Sequence, residues 1–368
     1  MAMHTETIAL RSSEGLRAGR LPRLIDLWVA AGAIAVSLIV FAGFGHVDYV
    51  GGWLVLGAIL YLVAIGLLSA IVEGRRKATD RIVRGLVTVA FLLAIIPLVS
   101  TLWTVIANGI TTLTPDFVFG AEQQHYDRET GETTITPGVG PAIVGTLIIT
   151  GIAAVISIPI GLLTAVWLTE YALPANPVRR VVTFLVDVMT GIPSIVAGLF
   201  AFALFTLVKG PGAFSGFSAA IALCVLMIPT MVRSSEEMIK LVPLELREAS
   251  YALGVTKWRT ILKVVLRTSI AGLVTGAVLA IARVIGETAP IYIAAGYTRT
   301  QFNADPGEGA MSTLAVVSYR NYVDPDPTHP EVTQAEAWGA ALLLIILVIV
   351  LNLIARFVAA RFAPKARR

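Results

Sequence analysis

The sequence predicts an all-α polytopic membrane protein, and three observations carry that expectation. Of 368 residues, 56% are hydrophobic and 14% are charged, against about 25% charged in soluble domains. Eight apolar stretches have the length a helix needs to cross ~30 Å of hydrocarbon: residues 27–44, 50–72, 85–107, 139–169, 181–208, 216–232, 268–296 and 337–355. Basic residues then concentrate on one side of the alternating spans. A barrel would need short alternating segments, and none appear.

In chain order, the first 23 residues are polar and basic. The first span is too long for a signal-peptide core and lacks a cleavage pattern, so no cleavable signal is expected. Spans one and two form a hairpin across a Gly-rich turn. The basic run Glu73-Gly74-Arg75-Arg76-Lys77 sets residues 1–80 apart from a larger membrane domain, 81–368. Two polar loops, 109–138 and 297–336, are rich in Pro, Gly and Thr, so little regular structure beyond short turns is expected. They are either solvated linkers or a docking rim for an outside partner.

Pro159, Pro193 and Pro229 interrupt spans, and each frees a backbone carbonyl. Gly191 and Pro193 mark a helix kink that must face protein or a watery path. Gly272 and Gly276, four apart, permit close helix packing. Asp187, read as lying a few residues into span five, is expected to be held by the helix dipole.

Of 28 Lys and Arg, 23 lie on one side: Arg11, Arg17, Arg20 and Arg23, five from Arg75 to Arg84, Arg179 and Arg180, seven from Arg233 to Arg267, and five from Arg356 onward. Arg128, Lys209, Arg299 and Arg320 lie opposite, and Arg283 falls inside a span. Both termini are thus expected in the cytoplasm, which requires an even span number. The net charge of +4 reflects this loop bias and calls for no nucleic-acid partner. Cys224 stands alone, so no intrachain disulfide can form. The four histidines show no metal-ligand spacing. None of the six lysines follows a glycine, so the chain has no phosphate loop of its own.

Two places carry chemistry. In the loop 240–267, Pro243 suits the first turn of a helix, Gly254 a C-terminal cap and Thr256 the next N-cap. Leu246, Ala249 or Ser250, and Leu253 line one stripe; Trp258, Ile261, Leu262 and Val265 line another. Two short amphipathic helices at about a right angle are expected. They lie on headgroups with Trp258 as anchor, or slot into a groove on a soluble partner. In span seven, Arg283 and Glu287 are four apart and share a helix face. Each alone costs roughly 2.5–3.5 kcal/mol at mid-membrane, so a mutual pair is expected. It is either structural or an anion gate, because Arg presents five fixed donors to an oxyanion.

Glu248-Ala249-Ser250, with Gly254 and then Val264-Val265-Leu266, resembles the EAA loop of bacterial ABC-importer permeases. Ser250 and Val264 are mild changes from that pattern, and Arg267 stands where it ends in proline. Glu287-Thr288-Ala289-Pro290 is similar to PstA-type permeases of the bacterial phosphate importer. Residues 140–146, 158–161, 170–172 and 190–194 support the resemblance, which covers about 82–368. It implies a six-helix type I ABC importer permease core to which the N-terminal hairpin is an addition. It implies that Glu248, Ala249 and Gly254 couple to an ATPase, and that Arg283, Glu287 and Thr288 line a pathway or gate. The implied partners are a PstC-like permease subunit, a PstB-like ATPase dimer holding ATP and Mg, and a PstS-like phosphate-binding protein outside. This chain, in the bacterial plasma membrane, is expected to bind no cofactor or metal and to be no enzyme. Other readings are a permease for sulfate or molybdate, or a secondary anion transporter using Arg283 and Glu287. The latter leaves the amphipathic loop unexplained, and a membrane enzyme would need a larger polar cluster.

Overall fold

The computed structural model describes residues 21–22, 24–45, 49–126 and 133–362. Arg11, Arg17, Arg20, Arg23, Arg128 and the basic tail after Phe362 lie outside these residues. The chain divides into two compact units, Met1–Trp103 and Thr104–Arg368. Among the described residues, seven helices are long and apolar enough to span a membrane, and a bent pair supplies an eighth.

In the first unit, α1 (Ile25–Gly43) and α2 (Val50–Val72) form the expected hairpin. Gly57 brings α2 against Ile34 and Ser37, and the buried Ser37 hydroxyl donates to the Trp53 carbonyl at 2.6 Å. Gly74, at φ +88°, then reverses the chain where a Cβ would be strained. The next helix, α3 (Arg75–Gly109), brings Arg81 back onto Glu73 at 2.7 Å and Asp26 at 2.8 Å. The Arg81 hydrogen bond, helped by the Leu21 N–H and Ser69 hydroxyl, holds the Glu73 carboxyl down to about 2. The division between units falls inside α3.

The second unit is built around α8 (Gly216–Lys240), whose apolar window is 67% buried, against 33% or less in the other spans. Small side chains allow this: Ala219, Ala220 and Ala222 are fully enclosed. Onto α8 pack α5 (Gly140–Tyr171), α10 (Lys257–Ile285) and α11 (Ala289–Ala295), through Ile149 and Ala153, Ala280 and Val284, and Ile291. Gly276 and Gly272 seat directly on Ser234 and Met238, the close approach their spacing predicts.

Three expectations change. Span five is two helices, α6 (Pro177–Thr190) and α7 (Ser194–Lys209), meeting at 106° across Gly191-Ile192-Pro193. The kink is a corner because Pro193 offers no N–H and holds an extended ψ of 137°. Asp187 consequently lies in the last turn of α6, where no N-terminal dipole favours it, and Arg233 of α8 binds it instead. Span seven stops at Ile285 and does not continue to residue 296.

The polar loops also hold more regular structure than expected. A short helix α4 (Pro115–Phe119), capped by the Thr114 hydroxyl, leads into the antiparallel strands β1 (Ala121–Tyr126) and β2 (Thr133–Val139). Later, α12 (Leu314–Val323) precedes the last helix, α13 (Pro330–Phe362). Buried polar groups join them. Arg299 Nε donates to the Tyr297 hydroxyl at 3.0 Å, and Tyr297 donates to Asn321 at 3.0 Å. Asn321 Nδ2 then donates to Glu336 at 2.8 Å. Arg299 also lies 3.7 Å from Glu122. Burial pushes the Tyr297 phenol up to about 12.

Candidate functional site

The loop after α8 forms α9 (Leu244–Ala252), entered through Pro243 and left through Gly254, whose φ is +75°. The second short helix expected there does not stand alone. Residues from Lys257 run unbroken into the membrane as α10, with a wide π-turn at Ile261–Val265. That turn buries Ile261 and Val265 completely beside Ile239 and Val242. Trp258 and Leu262 stay exposed, so the expected stripe splits into a core half and an outer half.

Beneath α9 the polar groups are saturated. Arg247, 14% exposed, reaches Glu170, 7% exposed, at 2.9 Å. Two further donors meet the carbonyls of Val242 at 2.5 Å and Ile239 at 3.0 Å. Ser250 and Thr260 share a buried hydrogen bond of 2.8 Å that locks α9 to the start of α10. Glu170 belongs to a second π-turn, Trp167–Tyr171, at the end of α5, and Lys257 lies 4.8 Å over the Tyr171 ring. The sequence places Glu170 and Arg247 77 residues apart, and no local pattern announces their bond.

The outer surface of α9 is the opposite. Glu248, Ala249 and Gly254 are all exposed, and Glu248 makes no ion pair or side-chain hydrogen bond among the described residues. Around them Leu244, Tyr251, Leu253 (82% exposed) and Trp258 stand bare. The loop carries an apolar surface and two exposed carboxylates, Glu245 and Glu248, with no ion pair among the described residues. Such a surface suits a grooved, cationic protein partner.

Within the membrane, the structure does not make the expected Arg283–Glu287 pair. Gly286 ends α10, and the chain is non-helical at Glu287 and Thr288 before α11 starts at Ala289, with Pro290 in its first turn. The two side chains therefore no longer share a helical face, and no ion pair joins them. Arg283 instead donates to the Thr230 hydroxyl at 3.3 Å. Thr230 lies near the middle of α8, so this guanidinium is deep in the span, yet it is exposed on the isolated chain. Thr288 accepts from the Tyr292 N–H through its carbonyl at 2.9 Å, and both Glu287 and Thr288 are half-buried.

The break is braced from outside. A Cβ on Gly198 of α7 would lie 2.6 Å from the Pro290 Cα, so α7 rests directly on the first turn of α11. The corner at Gly191 and Pro193 thus positions a helix that buttresses the second discontinuity. Lower down, Arg233 bonds both Asp187 and Glu236, the latter at 2.8 Å, tying α6 to α8.

Comparison with known proteins adds an independent line. Residues 157–368 match the family described as binding-protein-dependent transport system inner membrane component. The phosphate transport system permease protein PstA 1 of Mycobacterium tuberculosis is 43% identical over 290 residues, covering 78% of this chain and 91% of that one. PstA of Mycobacterium leprae is 41% identical over 78% of this chain and 91% of its own length. PstA of Pasteurella multocida is 34% identical over 76% and 94%. Among solved structures, a chain of the MetNI methionine ABC transporter in an inward-facing conformation aligns over 62% of this chain and 95% of that one, at 23% identity and a TM-score of 0.47.

Proposed function

This chain belongs to the family of binding-protein-dependent transport system inner membrane components, in its PstA phosphate-permease branch, and from that premise we propose that it forms half of the translocation pathway of an ATP-driven phosphate importer. The observation that carries the proposal is Arg283. An uncovered arginine at mid-span costs roughly 2.5–3.5 kcal/mol in lipid, so the face that exposes it requires a protein or aqueous neighbour. A second, PstC-like permease subunit supplies that neighbour, and the path runs between the two. Arg283, Glu287 and Thr288 line it: the guanidinium, with only one hydrogen bond, keeps donors free for a passing oxyanion. Glu287 repels a dianion and so favours passage over tight binding.

ATP and Mg belong to a separate, PstB-like ATPase dimer on the cytoplasmic face, and this chain hydrolyses nothing itself. Glu248, Ala249 and Gly254 dock there. Movement of the ATPase is passed through the Arg247–Glu170 and Ser250–Thr260 ties to α5 and α10, a rigid-body transmission. A PstS-like binding protein delivers phosphate to the outer rim formed by β1, β2 and α12. Both termini are cytoplasmic under the positive-inside rule.

The test is labelled-phosphate uptake into cells lacking this chain, with and without its restoration, under excess sulfate and after ATP depletion. Restored uptake that requires ATP and ignores sulfate is expected. Uptake competed by sulfate would replace the cargo with a broader oxyanion class. In the same cells Glu248→Ala should leave the complex assembled but uncouple ATP use from uptake; unchanged transport would remove Glu248 from the coupling surface.

A further inference from the structure

The first unit contains a groove that neither coupling nor the cargo path uses. At their basic end α2 and α3 are tightly sewn: Gly66 meets Ile82, and Gly85 seats on Tyr61 and Leu62. Beyond that seam the three helices leave an open-sided groove of 340 Å³. Its walls are Ala30 and Ile34 of α1, Leu54 and Ala58 of α2, and Leu92 and Ile96 of α3. Polar side chains appear only toward the basic end, as Asp26, Tyr61 and Thr88.

We propose that this groove binds one membrane phospholipid, with an acyl chain along the apolar walls and the phosphodiester on Arg84. Several observations converge on that occupant. The walls consist of hydrocarbon along spans that face lipid, so an acyl chain is the ambient ligand. Charge then fixes the polarity of the guest. Arg84 lies one turn below Thr88 on α3, at the basic end of the groove. Its guanidinium has no ion pair or hydrogen bond among the described residues, whereas Arg81 is consumed by Asp26 and Glu73. Because Arg81 neutralises Asp26, that carboxylate does not repel a phosphate. Basic pockets between spans are known binding places for phospholipid headgroups. The site gives the first unit a role of its own, independent of the cargo.

The experiment uses the full-length chain in its assembled complex, purified in mild detergent and examined by native mass spectrometry with lipid extraction. Wild type should retain a phospholipid through washing. Ala58→Phe, which fills the groove, should lower that retention about tenfold, equal to ~1.4 kcal/mol. Ile59→Phe, at a lipid-exposed neighbouring position, should not. Arg84→Gln, outside the groove walls, should weaken retention while the complex assembles normally. Reconstitution with phosphatidylglycerol or phosphatidylethanolamine distinguishes an anionic headgroup from a zwitterionic one; retention of either through Arg84 upholds the site. Equal retention in Ala58→Phe and Ile59→Phe would overturn it. So would a photo-crosslinker at position 58 that captures a polypeptide and no lipid.

Discussion

Arg247, beneath the cytoplasmic-loop helix α9, and Arg283, deep in a span, are treated in opposite ways. Arg247 is nearly enclosed, and its guanidinium donates to a buried carboxylate and two carbonyls. Arg283 is exposed and donates once, at 3.3 Å, to a threonine. A guanidinium with four of its five donors spent holds elements together. One whose donors are spare is placed to meet something that arrives. The difference separates a joint from a contact point, and it can be tested in order of expected effect.

Removing the joint should matter most. Arg247→Ala leaves the Glu170 carboxylate buried without its counter-charge, which costs about 3–5 kcal/mol. A large fall in the melting temperature of the purified complex is expected, with Arg247→Lys recovering only part because it lacks the planar fork. A melting curve unchanged by Arg247→Ala would show that the tie is ornamental. Gly254→Ala comes next. The site has room for a methyl group, but its φ of +75° is strained for an L side chain, at roughly 1–2 kcal/mol. A loss confined to ATPase binding would show that the turn is read by the partner alone.

Arg81 is an intermediate case, with three of its five donors engaged against four in Arg247. Glu73 has its pKa lowered from 4.5 to about 2, so its bond stabilises the fold fully above 4.5. That contribution is lost as pH falls through about 2. Thermal scans of the wild type and Glu73→Gln should therefore differ near pH 6 and converge toward pH 2. The smallest stability effect is expected at the contact point. Arg283→Ala should change unfolding by no more than ~0.5 kcal/mol while abolishing uptake. A strongly destabilised Arg283→Ala would collapse the distinction between the two arginines.

Much of this was legible in the chain, for identifiable reasons. Apolar runs longer than a bilayer is thick reveal spans whatever they pack against, and Gly191 with Pro193 reveals a bend, though not its sharpening into a 106° corner. Pro243 and Gly254 punctuate α9 locally. What stayed hidden depends on partners distant in sequence or on signals that look alike. Thr256 reads as the cap of a separate helix, yet α10 simply starts there and continues. Arg283 and Glu287 fit a helical repeat, but Gly286 and Pro290 divide it, and a glycine at φ −91° carries no left-handed signature. Strand β1 is mostly polar (Glu122, Gln123, Gln124, His125) and β2 carries Thr, Pro and Gly, so composition alone reads them as loop. Arg247 and Glu170 meet only because α9 folds back under α5.

The two π-turns carry a further consequence. Each adds one residue to a helical turn, so everything beyond it is rotated by about 100° relative to a regular helix. One lies at the end of α5 and the other at the start of α10, on either side of α9. Each gives the residues beyond it an orientation that a regular helix of the same length would not give. Deleting one residue from 261–265 would leave the hydropathy of the span unchanged, yet turn the exposed Trp258 by about 100° relative to the buried face of α10. The orientation of α9 against the span is therefore set by the number of residues between them as well as by their kinds.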